Sequence, residues 1–454
     1  MADQTKRILI VLENDLYVRN FVTSGAFDAL FDSGDVGVVT SEAVVKMADS
    51  IPTERLLGSF QRSANSNLVF AYNKLSIRAL RRRSTTFDIK VRTEVPFGTY
   101  DIRHKIASTP LIFDLLTKRM MRRRFQPNKS LLAIVQSLRP ELVIFPFTGV
   151  EASGYELVRM GPRFGFRTLF LVNGWDNLSS KGIMPFRPDF IGVWGPQSAE
   201  DAKRIQGMPP DRVLLMGCAR YEGFAAPEIG REPPFEFPYV LFAGSTTACE
   251  EIGPLQEFDR ALTASGRSDL KIVYRPHPQR ERRLCEDVFR PEEFRNVVID
   301  PQVAEGYFGA KERKTENTSS QQYPALTYYP GLLRHARFVV SPMSSMTLEA
   351  ALFDVPAMIL AYDDGYHPIP GNLQASYRHF EGADTVPGWF FARSKSELRA
   401  SFESMVERTR REHAGDRAFR PALSDAMRRY LHTDEIGYSR RLENAAREIL
   451  NARR

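Results

Sequence analysis

The chain has few cysteines and lacks any long apolar run. Its 454 residues include three cysteines, Cys218, Cys249 and Cys285, and none belongs to a CxxC pair. A zinc site or a disulfide framework is therefore not expected, and a reducing compartment fits. No window of about 18 uninterrupted apolar residues occurs, and the first residues lead into a strand pattern rather than a secretory signal. We expect a cytoplasmic protein that does not span a membrane.

Several motifs of nucleotide and metal chemistry are also missing. The sequence has no Walker A motif, no GxGxxG after the first strand pattern and no HExxH. It contains no Asp-x-Asp either, so a metal–carboxylate site has no obvious ligands. A bound phosphate would then have to be neutralised by protein groups. We expect no cofactor and no metal.

Basic residues form two clusters within a formal net charge of +7. The first runs from Arg81 to Arg83, and the second lies between Lys118 and Arg124. A solvated helix face needs no partner, whereas anionic lipid head groups or nucleic acid would attract such charges. No RNP or zinc-finger motif accompanies the clusters, so we expect no nucleic-acid partner. Peripheral attachment to the inner face of the cytoplasmic membrane stays open.

Short apolar runs alternate with helical patterns, such as the one from Leu16 to Phe31. This alternation predicts parallel sheets with helices on both faces. Because 454 residues exceed what one hydrophobic core usually serves, we expect two such α/β domains. The predicted strands occupy residues 7–13, 36–41, 141–147, 166–173, 190–195, 239–245, 270–278, 296–300, 336–342 and 356–362.

A stretch rich in proline and charge, residues 226–238, predicts a linker between the two domains. The first domain would then comprise residues 1–225 and the second residues 239–393. Residues 394–454 have the pattern of charged amphipathic helices. The polar segment 311–323 has the composition of a mobile insertion.

An HP motif ends one strand of the second domain. The sequence YRPHP runs from Tyr274 to Pro278. Ligands of open α/β sheets bind beyond the carboxyl ends of the strands, so His277 would project into such a site. Its ring could donate a hydrogen bond to a phosphate, with Arg275 beside it as a charged partner. The alternative is a histidine satisfied within a proline-rich turn.

A serine-bearing helix start follows in VVSPMSSMTLEAALFDVP. The strand pattern ends at Ser341, and a helix begins near Ser344 and Ser345. Backbone N–H groups at such a start bind anions, and the hydroxyls would add to them. Plain N-capping is the alternative, but it needs only one serine. Glu349, one turn into the helix, could accept from ribose hydroxyls or simply be solvated.

A polar loop, NGWDNLSSKG, follows the strand at 166–173 of the first domain. Asp176 in this loop could act as a general base or could cap an Asx-turn. Trp175 could stack on a sugar ring or pack in the interior. The further carboxylates predicted near strand ends of this domain are Glu13, Asp15 and Glu151.

Together these three segments resemble bacterial GT-B-type glycosyltransferases of surface-polysaccharide biosynthesis, which build capsule and O-antigen. The group includes capsule Kdo transferases and CDP-glycerol glycerophosphotransferases, which also carry an HP motif and a serine-bearing helix start. The resemblance runs from about Glu141 to Asp363 and includes the segment 187–224. Asp354 stands where such helices commonly place glycine, and aspartate can adopt the left-handed conformation needed there. The resemblance implies a GT-B-like fold, with two Rossmann-type domains whose parallel sheets face across a cleft.

The resemblance also implies how substrates bind. A nucleotide-activated donor would lie mainly on the second domain and an acceptor mainly on the first. The donor-phosphate contacts that the resemblance carries over are His277, Ser344 and Ser345. From their positions we further predict donor contacts at Arg275, Glu349 and Ser245, and acceptor or loop contacts at Trp175, Asn177 and Lys181. Asp176 and His277 are the predicted catalytic residues. The first half lacks the glycine-rich donor loop of many GT-B enzymes, so the assignment of Asp176 as the base does not follow from a motif.

The predicted function is therefore an inverting, metal-independent glycosyltransferase. It would move a sugar or polyol phosphate from a nucleotide sugar to a surface polysaccharide or a lipid-linked glycan. Two alternatives remain. A nucleotide-sugar 2-epimerase would need an acid and a base flanking the sugar but no acceptor. A non-catalytic binding protein of the same pathway would keep the donor pocket without turnover.

Overall fold

The computed structural model describes most of the chain. It covers residues 7–93, 102–224, 229–247, 249–267, 269–277, 288–309, 325–410 and 425–452. The segment 311–323, part of the predicted linker, Pro278 and Cys285 lie outside these residues. The chain divides into two compact units, of which unit 1 comprises Met1–Gly223 with Arg428–Arg454 and unit 2 comprises Phe224–Met427.

Unit 1 contains a parallel sheet with the strand order β3-β2-β1-β4-β5-β6-β7. Its strands are β1 (Ile8–Leu12), β2 (Val36–Ser41), β3 (Leu56–Phe60), β4 (Leu142–Phe147), β5 (Arg167–Val172), β6 (Phe190–Val193) and β7 (Val213–Leu215). Every residue of β1 and β4 is buried, as expected for parallel strands that are covered on both faces.

The helices of unit 1 occupy the connections between these strands. In chain order they are α1 (Asp15–Tyr17), α2 (Asp28–Asp32), α3 (Ser66–Ala79), α4 (Thr85–Arg92), α5 (Ile102–Ala107), α6 (Pro110–Arg124), α7 (Lys129–Leu138), α8 (Ala152–Phe164), α9 (Asn177–Ser180) and α10 (Pro196–Arg204). The side chains of Asn14 and Asn128 accept backbone N–H bonds at the starts of α1 and α7. A π-helical segment, Val18–Val22, continues α1.

Unit 2 contains a second parallel sheet, with the order β10-β9-β8-β11-β12-β13. Its strands are β8 (Tyr239–Ala243), β9 (Lys271–Arg275), β10 (Val297–Ile299), β11 (Ala336–Ser341), β12 (Ala357–Leu360) and β13 (Trp389–Ala392). Its helices are α11 (Ile252–Ala264), α12 (Pro301–Gly309), α13 (Tyr328–Arg334), α14 (Ser345–Ala351), α15 (Gly371–Ala375), α16 (Leu398–Arg408) and α17 (Asp425–Arg428), the last of which leads back to unit 1.

The last helix, α18 (Gly437–Asn451), belongs to unit 1. Its residues Tyr438, Leu442 and Ile449 are buried in the same core as β1 and β4. The carboxylate of Glu222 accepts hydrogen bonds from the backbone N–H groups of Tyr438 and Ser439, at 2.9 and 3.1 Å. The C-terminal segment 394–454 is thus divided, because α16 packs in unit 2 and α18 in unit 1.

The two sheets share one topology. Counted from the first strand of each unit, both follow the Rossmann order 3-2-1-4-5-6, to which unit 1 adds a seventh strand. The strand order reverses between β1 and β4 in unit 1 and between β8 and β11 in unit 2. The prediction of two Rossmann-type α/β domains is confirmed. Ligands of such sheets bind beyond the carboxyl ends of the strands at these reversals, which we call the switch points.

None of the described helices is both long enough and apolar enough to cross a bilayer.

Candidate functional site

A buried glutamate holds the loop after β8 at the switch point of unit 2. Glu251, just before α11, is 0% exposed. Its carboxylate accepts hydrogen bonds from the backbone N–H of Ser245, at 3.2 Å, and from the hydroxyl of Tyr274 in β9, at 2.8 Å. The Ser245 hydroxyl donates to Oε1 of Gln374 at 3.3 Å. The structure therefore places Ser245 in a buried network, and its predicted contact with a donor stays a prediction.

His277 lies beside this loop. Its Nε2 is 2.8 Å from Oγ1 of Thr246, and the residue is partly exposed. Gly244 permits this close approach, because a Cβ atom there would lie 2.7 Å from Oε2 of Glu251 and 3.0 Å from the backbone nitrogen of His277. The loops after β8 and β9 thus meet at the carboxyl ends of their strands. The predicted role of His277 at a phosphate stays a prediction.

Arg275, the last residue of β9, forms an internal ion pair. Its guanidinium pairs with the carboxylate of Asp300, and the two side chains are 5% and 0% exposed. Arg275 also donates from Nη2 to the hydroxyl of Tyr329 at 2.9 Å. The sequence did not indicate this buried partner, which offsets the arginine charge inside unit 2. A contact of Arg275 with a phosphate therefore stays a prediction.

The predicted serines lie between β11 and α14. Ser344 precedes the helix but makes no capping hydrogen bond, and its hydroxyl lies 3.0 Å from that of Ser341. Ser345 opens the helix and is partly exposed, whereas Glu349 is buried. Asp354 has a φ of 54°, which confirms the expected left-handed conformation. Plain N-capping does not account for Ser344, and the nucleotide contacts of these residues stay predictions.

Asp176 lies in a network of charges after β5. Its Oδ2 accepts a hydrogen bond from the hydroxyl of Ser180 at 2.5 Å and lies 3.3 Å from Nζ of Lys181. The charge of Asp176 raises the pKa of Lys181. Lys90 donates to the carbonyl of Ser180 at 2.7 Å, and burial together with the charge of Lys181 lowers its pKa to about 8. The structure brings Asp176 and Lys181 together, and the role of Asp176 as a base stays a prediction.

Trp175 and Asn177 shape the same loop. Trp175 is buried, its Nε1 donates to Oε1 of Gln197 at 3.2 Å, and its ring meets that of Tyr430 edge-on at 5.0 Å. Oδ1 of Asn177 accepts from the backbone N–H of Gly174 at 2.6 Å and closes the turn. Of the two roles considered for Trp175, the structure supports packing in the interior of unit 1.

A second polar cluster lies at the switch point of unit 1. Glu151 follows β4, and its Oε2 accepts backbone N–H bonds from Thr148, Gly149 and Val150 at 3.0, 3.2 and 3.1 Å. Its Oε1 accepts from the hydroxyls of Thr148 and Tyr17. Glu151 is 7% exposed. These donors compensate for burying a negative charge, so Glu151 has the contacts of a carboxylate.

Glu13 directly follows β1, on the other side of this switch point. Its Oε2 is buried and has no hydrogen-bond partner in the described structure. Burial, and secondarily the charge of Glu151, raise the pKa of Glu13 from 4.5 to about 8. Glu13 is therefore a neutral carboxylic acid at pH 7. A carboxyl that stays neutral near pH 7 is the form in which a glutamate can act as a general acid.

Helix α8 adds a buried carboxyl that is only partly hydrogen-bonded. Oε1 of Glu156 accepts from Ser63 at 2.5 Å and from Asn65 at 2.6 Å, whereas its Oε2 is buried without a hydrogen bond within the described structure. Ser153, three residues earlier on the same helix face, interacts with Glu13 through its hydroxyl, which opposes the rise in the pKa of Glu13. Buried unsatisfied polar atoms are uncommon, so Oε2 of Glu13 and Oε2 of Glu156 indicate a place where a ligand or ordered water binds.

The sequence shows Glu13 and Glu151 only as carboxylates that follow two distant strands. The parallel pairing of β1 with β4, in which Ile10 lies opposite Ile144, brings the two loops together. Asp15 has a different role, because its Oδ1 accepts backbone N–H bonds at 3.1 Å from the segment after β2. The donors are Val45, Lys46 and Met47.

Comparison with known proteins shows the fold of this chain. No protein-family model and no curated protein matches it. The UDP-GlcNAc 2-epimerase of Neisseria meningitidis, solved with UDP-GlcNAc, matches with a TM-score of 0.52 and 10% identity, over 98% of this chain and 100% of that one. The fold is GT-B-like. The predicted GT-B-like class is thus confirmed.

Two further solved structures match at similar identity. The UDP-GlcNAc 2-epimerase of Methanocaldococcus jannaschii has a TM-score of 0.49 and 9% identity, over 97% of this chain and 99% of that one. The glycosyltransferase of kitacinnamycin has a TM-score of 0.49 and 12% identity, over 97% of both chains.

The predicted function needs correction. The match to the UDP-GlcNAc 2-epimerase of N. meningitidis favours the epimerase alternative over the glycosyltransferase predicted from the motifs. The specific family named from the resemblance is not confirmed. The physical reason for the error is that epimerases and glycosyltransferases share one fold, so motifs that place a nucleotide on that fold do not distinguish the two reactions.

Proposed function

We propose that the chain is an enzyme that inverts a stereocentre of a nucleotide-linked sugar, in the manner of a 2-epimerase. Inversion at a carbon that carries hydrogen removes one proton and returns another on the opposite face, so it needs a base and an acid. The observation that supports this reaction is a carboxyl at the switch point of unit 1, Glu13, that stays protonated at neutral pH. A second carboxyl, Asp176, lies on the loop after β5, and β4 separates β1 from β5 in the same sheet.

In this proposal Glu13 is the acid and Asp176 the base. Asp176 takes the proton from one face of the sugar carbon, and the electron pair left behind forms a double bond to the anomeric carbon as the bond from that carbon to UDP breaks. The O–H bond of Glu13 then breaks as its proton adds to the other face of the sugar carbon, and UDP bonds again to the anomeric carbon. Exchange with solvent then restores both groups, so no atom is gained or lost. Burial and, secondarily, the charge of Glu151 keep Glu13 protonated, and the charge of Glu151 also acts on Lys181, the ion-pair partner of Asp176.

We further propose that the nucleotide is a uridine diphosphate and that unit 2 binds it. The supporting residues are Thr246, His277, Ser344 and Ser345, whose hydroxyl and imidazole groups lie at the carboxyl ends of β8, β9 and β11 and suit phosphate oxygens. A UDP-linked sugar is the substrate with which the N. meningitidis epimerase was solved. No acceptor glycan belongs to the proposal, because an epimerase changes a single substrate.

We also propose that the enzyme turns over its substrate without a metal ion. Within the described residues, no group of three or more His, Cys, Asp or Glu side chains could hold a metal ion. The proposed phosphate site uses neutral donors and an imidazole instead. Turnover should therefore survive dialysis against EDTA, and its loss with recovery on adding a divalent cation would contradict this part.

Incubation with UDP-GlcNAc alone in D₂O tests the reaction. We expect a second UDP-sugar, seen by proton NMR, with deuterium at the inverted carbon and without any added glycan. Nucleotide binding without a new sugar would instead support the non-catalytic alternative. Release of UDP that depends on an added glycan would contradict the epimerase proposal.

Titration with UDP tests unit 2 separately. A ligand at 100 times its Kd stabilises a protein by about 2.7 kcal/mol, so UDP should raise the melting temperature measurably. His277→Ala should weaken UDP binding about tenfold, the usual effect of losing one hydrogen bond to a charged group. His432→Ala, in unit 1, is the control. Unchanged affinity in a folded His277→Ala protein would remove His277 from the site.

A further inference from the structure

Helices α5 and α6 of unit 1 expose a group of large apolar side chains. Its members are Ile106, Leu111, Ile112, Leu115 and Leu116. The two most exposed, Leu111 and Leu115, have 87% and 71% of their surface accessible. Single exposed apolar residues are normal, but several large apolar side chains exposed on two successive helices mark an interaction surface.

The geometry of α6 gathers these side chains on one face. Leu111 and Leu115 are four residues apart, as are Ile112 and Leu116, so they form two adjacent rows on the helix surface. Phe113 lies between the rows in sequence but points to unit 1, where its ring is 5.5 Å from that of Tyr72 in α3. The helix therefore docks through one face and leaves its leucine face outward.

The same outward face becomes basic toward the end of α6. Arg119 and Arg123 continue the row of Leu111 and Leu115 at four-residue steps, and both arginines are exposed, as is Arg124. The side chains of Lys118 and Arg122 lie outside the described residues. One continuous helix face thus carries leucines in its first half and arginines in its second.

We propose that this face of α6 docks on an anionic lipid bilayer. The leucines would enter the boundary between head groups and acyl chains, and the arginines would contact lipid phosphates. The arginines complement the negative charge of the lipid phosphates, and the exposed leucines match the apolar acyl chains. Both features together favour an anionic bilayer as the partner. A nucleic acid would match the arginines but would leave the leucines in water, and a solvated face would explain neither the leucines nor their alignment.

Vesicle sedimentation with the full chain tests the proposal. We expect binding to vesicles of phosphatidylcholine with phosphatidylglycerol in low salt, weak binding to phosphatidylcholine alone, and release in high salt. The double variant Leu111→Ser, Leu115→Ser should bind at least about tenfold more weakly. The double variant Arg119→Gln, Arg123→Gln should bind about 30-fold more weakly in low salt.

Val45→Ser is the matched control, because Val45 is 71% exposed in unit 1 but lies outside α5 and α6. It should bind vesicles as the unchanged protein does, and circular dichroism checks that every variant folds. Equal binding to neutral and anionic vesicles, or unchanged binding by the leucine variant, would overturn the proposal. Absence of vesicle binding, with self-association that the leucine substitutions abolish, would also overturn it and show an interface between copies of the chain.

Discussion

Glu13 carries a proton that an ordinary glutamate would lose at neutral pH. Its pKa rises from 4.5 to about 8 on folding, so the folded chain binds a proton that the unfolded chain releases between these values. The free energy of unfolding therefore falls as the pH rises through this window. The contribution of one such group is up to about 1.4 kcal/mol per pH unit. At neutral pH, burial of Glu13 thus lowers the free energy of unfolding, and it also keeps the side chain in the acid form that the proposed reaction needs.

The substitution Glu13→Gln should separate the effect of Glu13 on stability from its effect on turnover. The amide has nearly the same size and no charge to bury, so the free energy of unfolding should rise at pH 8.5 and change little at pH 5. Epimer formation should fall by about 10² or more, since the amide cannot supply a proton. Urea denaturation at both pH values and NMR assays of turnover measure the two effects.

Glu54→Gln, at an exposed position of unit 1, is the control for Glu13→Gln and should change neither quantity. In the unchanged enzyme, turnover should decline as the pH rises through about 8, because the acid form of Glu13 is lost there. Normal turnover by a folded Glu13→Gln protein would show that the acid is another residue.

Asp176→Asn tests the proposed base. The amide keeps the size of the side chain but removes the charge that supports the protonated forms of Lys90 and Lys181. Because Asp176 and Lys181 are partly exposed, the free energy of unfolding should fall by only about 1 kcal/mol. Epimer formation should fall by about 10² or more while UDP still raises the melting temperature. A loss of turnover below about fivefold would leave Asp176 a loop-ordering residue.

At the scale of elements, every interior strand of the two sheets was predicted from the sequence, whereas of the edge strands only β10 was predicted. The central strands β1, β4 and β8 are continuous apolar runs because they are buried on both faces. The strands β3, β7 and β13 escaped prediction. All three lie at the edges of the sheets, and in β3 and β7 most residues are at least partly exposed; β13 is an apolar run of only four residues, too short to stand out.

The site was only partly predictable for a related reason. The sequence shows which residue follows a strand, as for His277, Asp176 and Glu13, but not which strands are neighbours. Contacts such as that of Arg275 with Asp300 depend on strand order. The predicted helix at residues 16–31 also breaks, because a π-helical segment and a turn at Gly25, with φ of 80°, interrupt it.

Gly244→Ala should disturb the loop after β8. A Cβ atom there would come within 2.7 Å of Oε2 of Glu251 and 3.0 Å of the backbone nitrogen of His277, so the two loops must separate. We expect a loss of about 1–3 kcal/mol in the free energy of unfolding. UDP affinity should also fall, because Thr246 and His277 move. Thermal melts with and without UDP measure both effects.

Gly331→Ala is a matched control for this strain. Gly331 lies within α13 of unit 2, and its added Cβ would have no atom nearer than 3.4 Å, which is ordinary van der Waals contact. Alanine should therefore be tolerated or stabilising by up to about 1 kcal/mol, the helix preference of alanine over glycine. UDP affinity that falls equally in both variants would contradict the proposed importance of the loop after β8.

At the scale of the whole molecule, one topology is used twice with different chemistry. The switch point of unit 1 gathers Glu13 and Glu151. The switch point of unit 2 gathers hydroxyls and the imidazole of His277, and its one buried glutamate, Glu251, accepts hydrogen bonds from Ser245 and Tyr274. Carboxyls suit proton transfer, and neutral or cationic donors suit phosphates. The two sheets thus share one strand order, and the loops at their carboxyl edges account for the difference in chemistry.

The return of α18 to unit 1 makes the C-terminal helix part of the first core, and Leu442→Ala tests this. Leu442 is fully buried with residues of β1 and β4, so truncation should reduce the free energy of unfolding by about 2–5 kcal/mol. Amide exchange should quicken in β1 and β4, which share that core. Phe402→Ala is the counterpart in unit 2, where the ring stacks on Phe258 at 4.3 Å, and it should quicken exchange in β8 and β11 instead. Faster exchange mainly in β8 and β11 after Leu442→Ala would contradict the assignment of α18 to the core of unit 1.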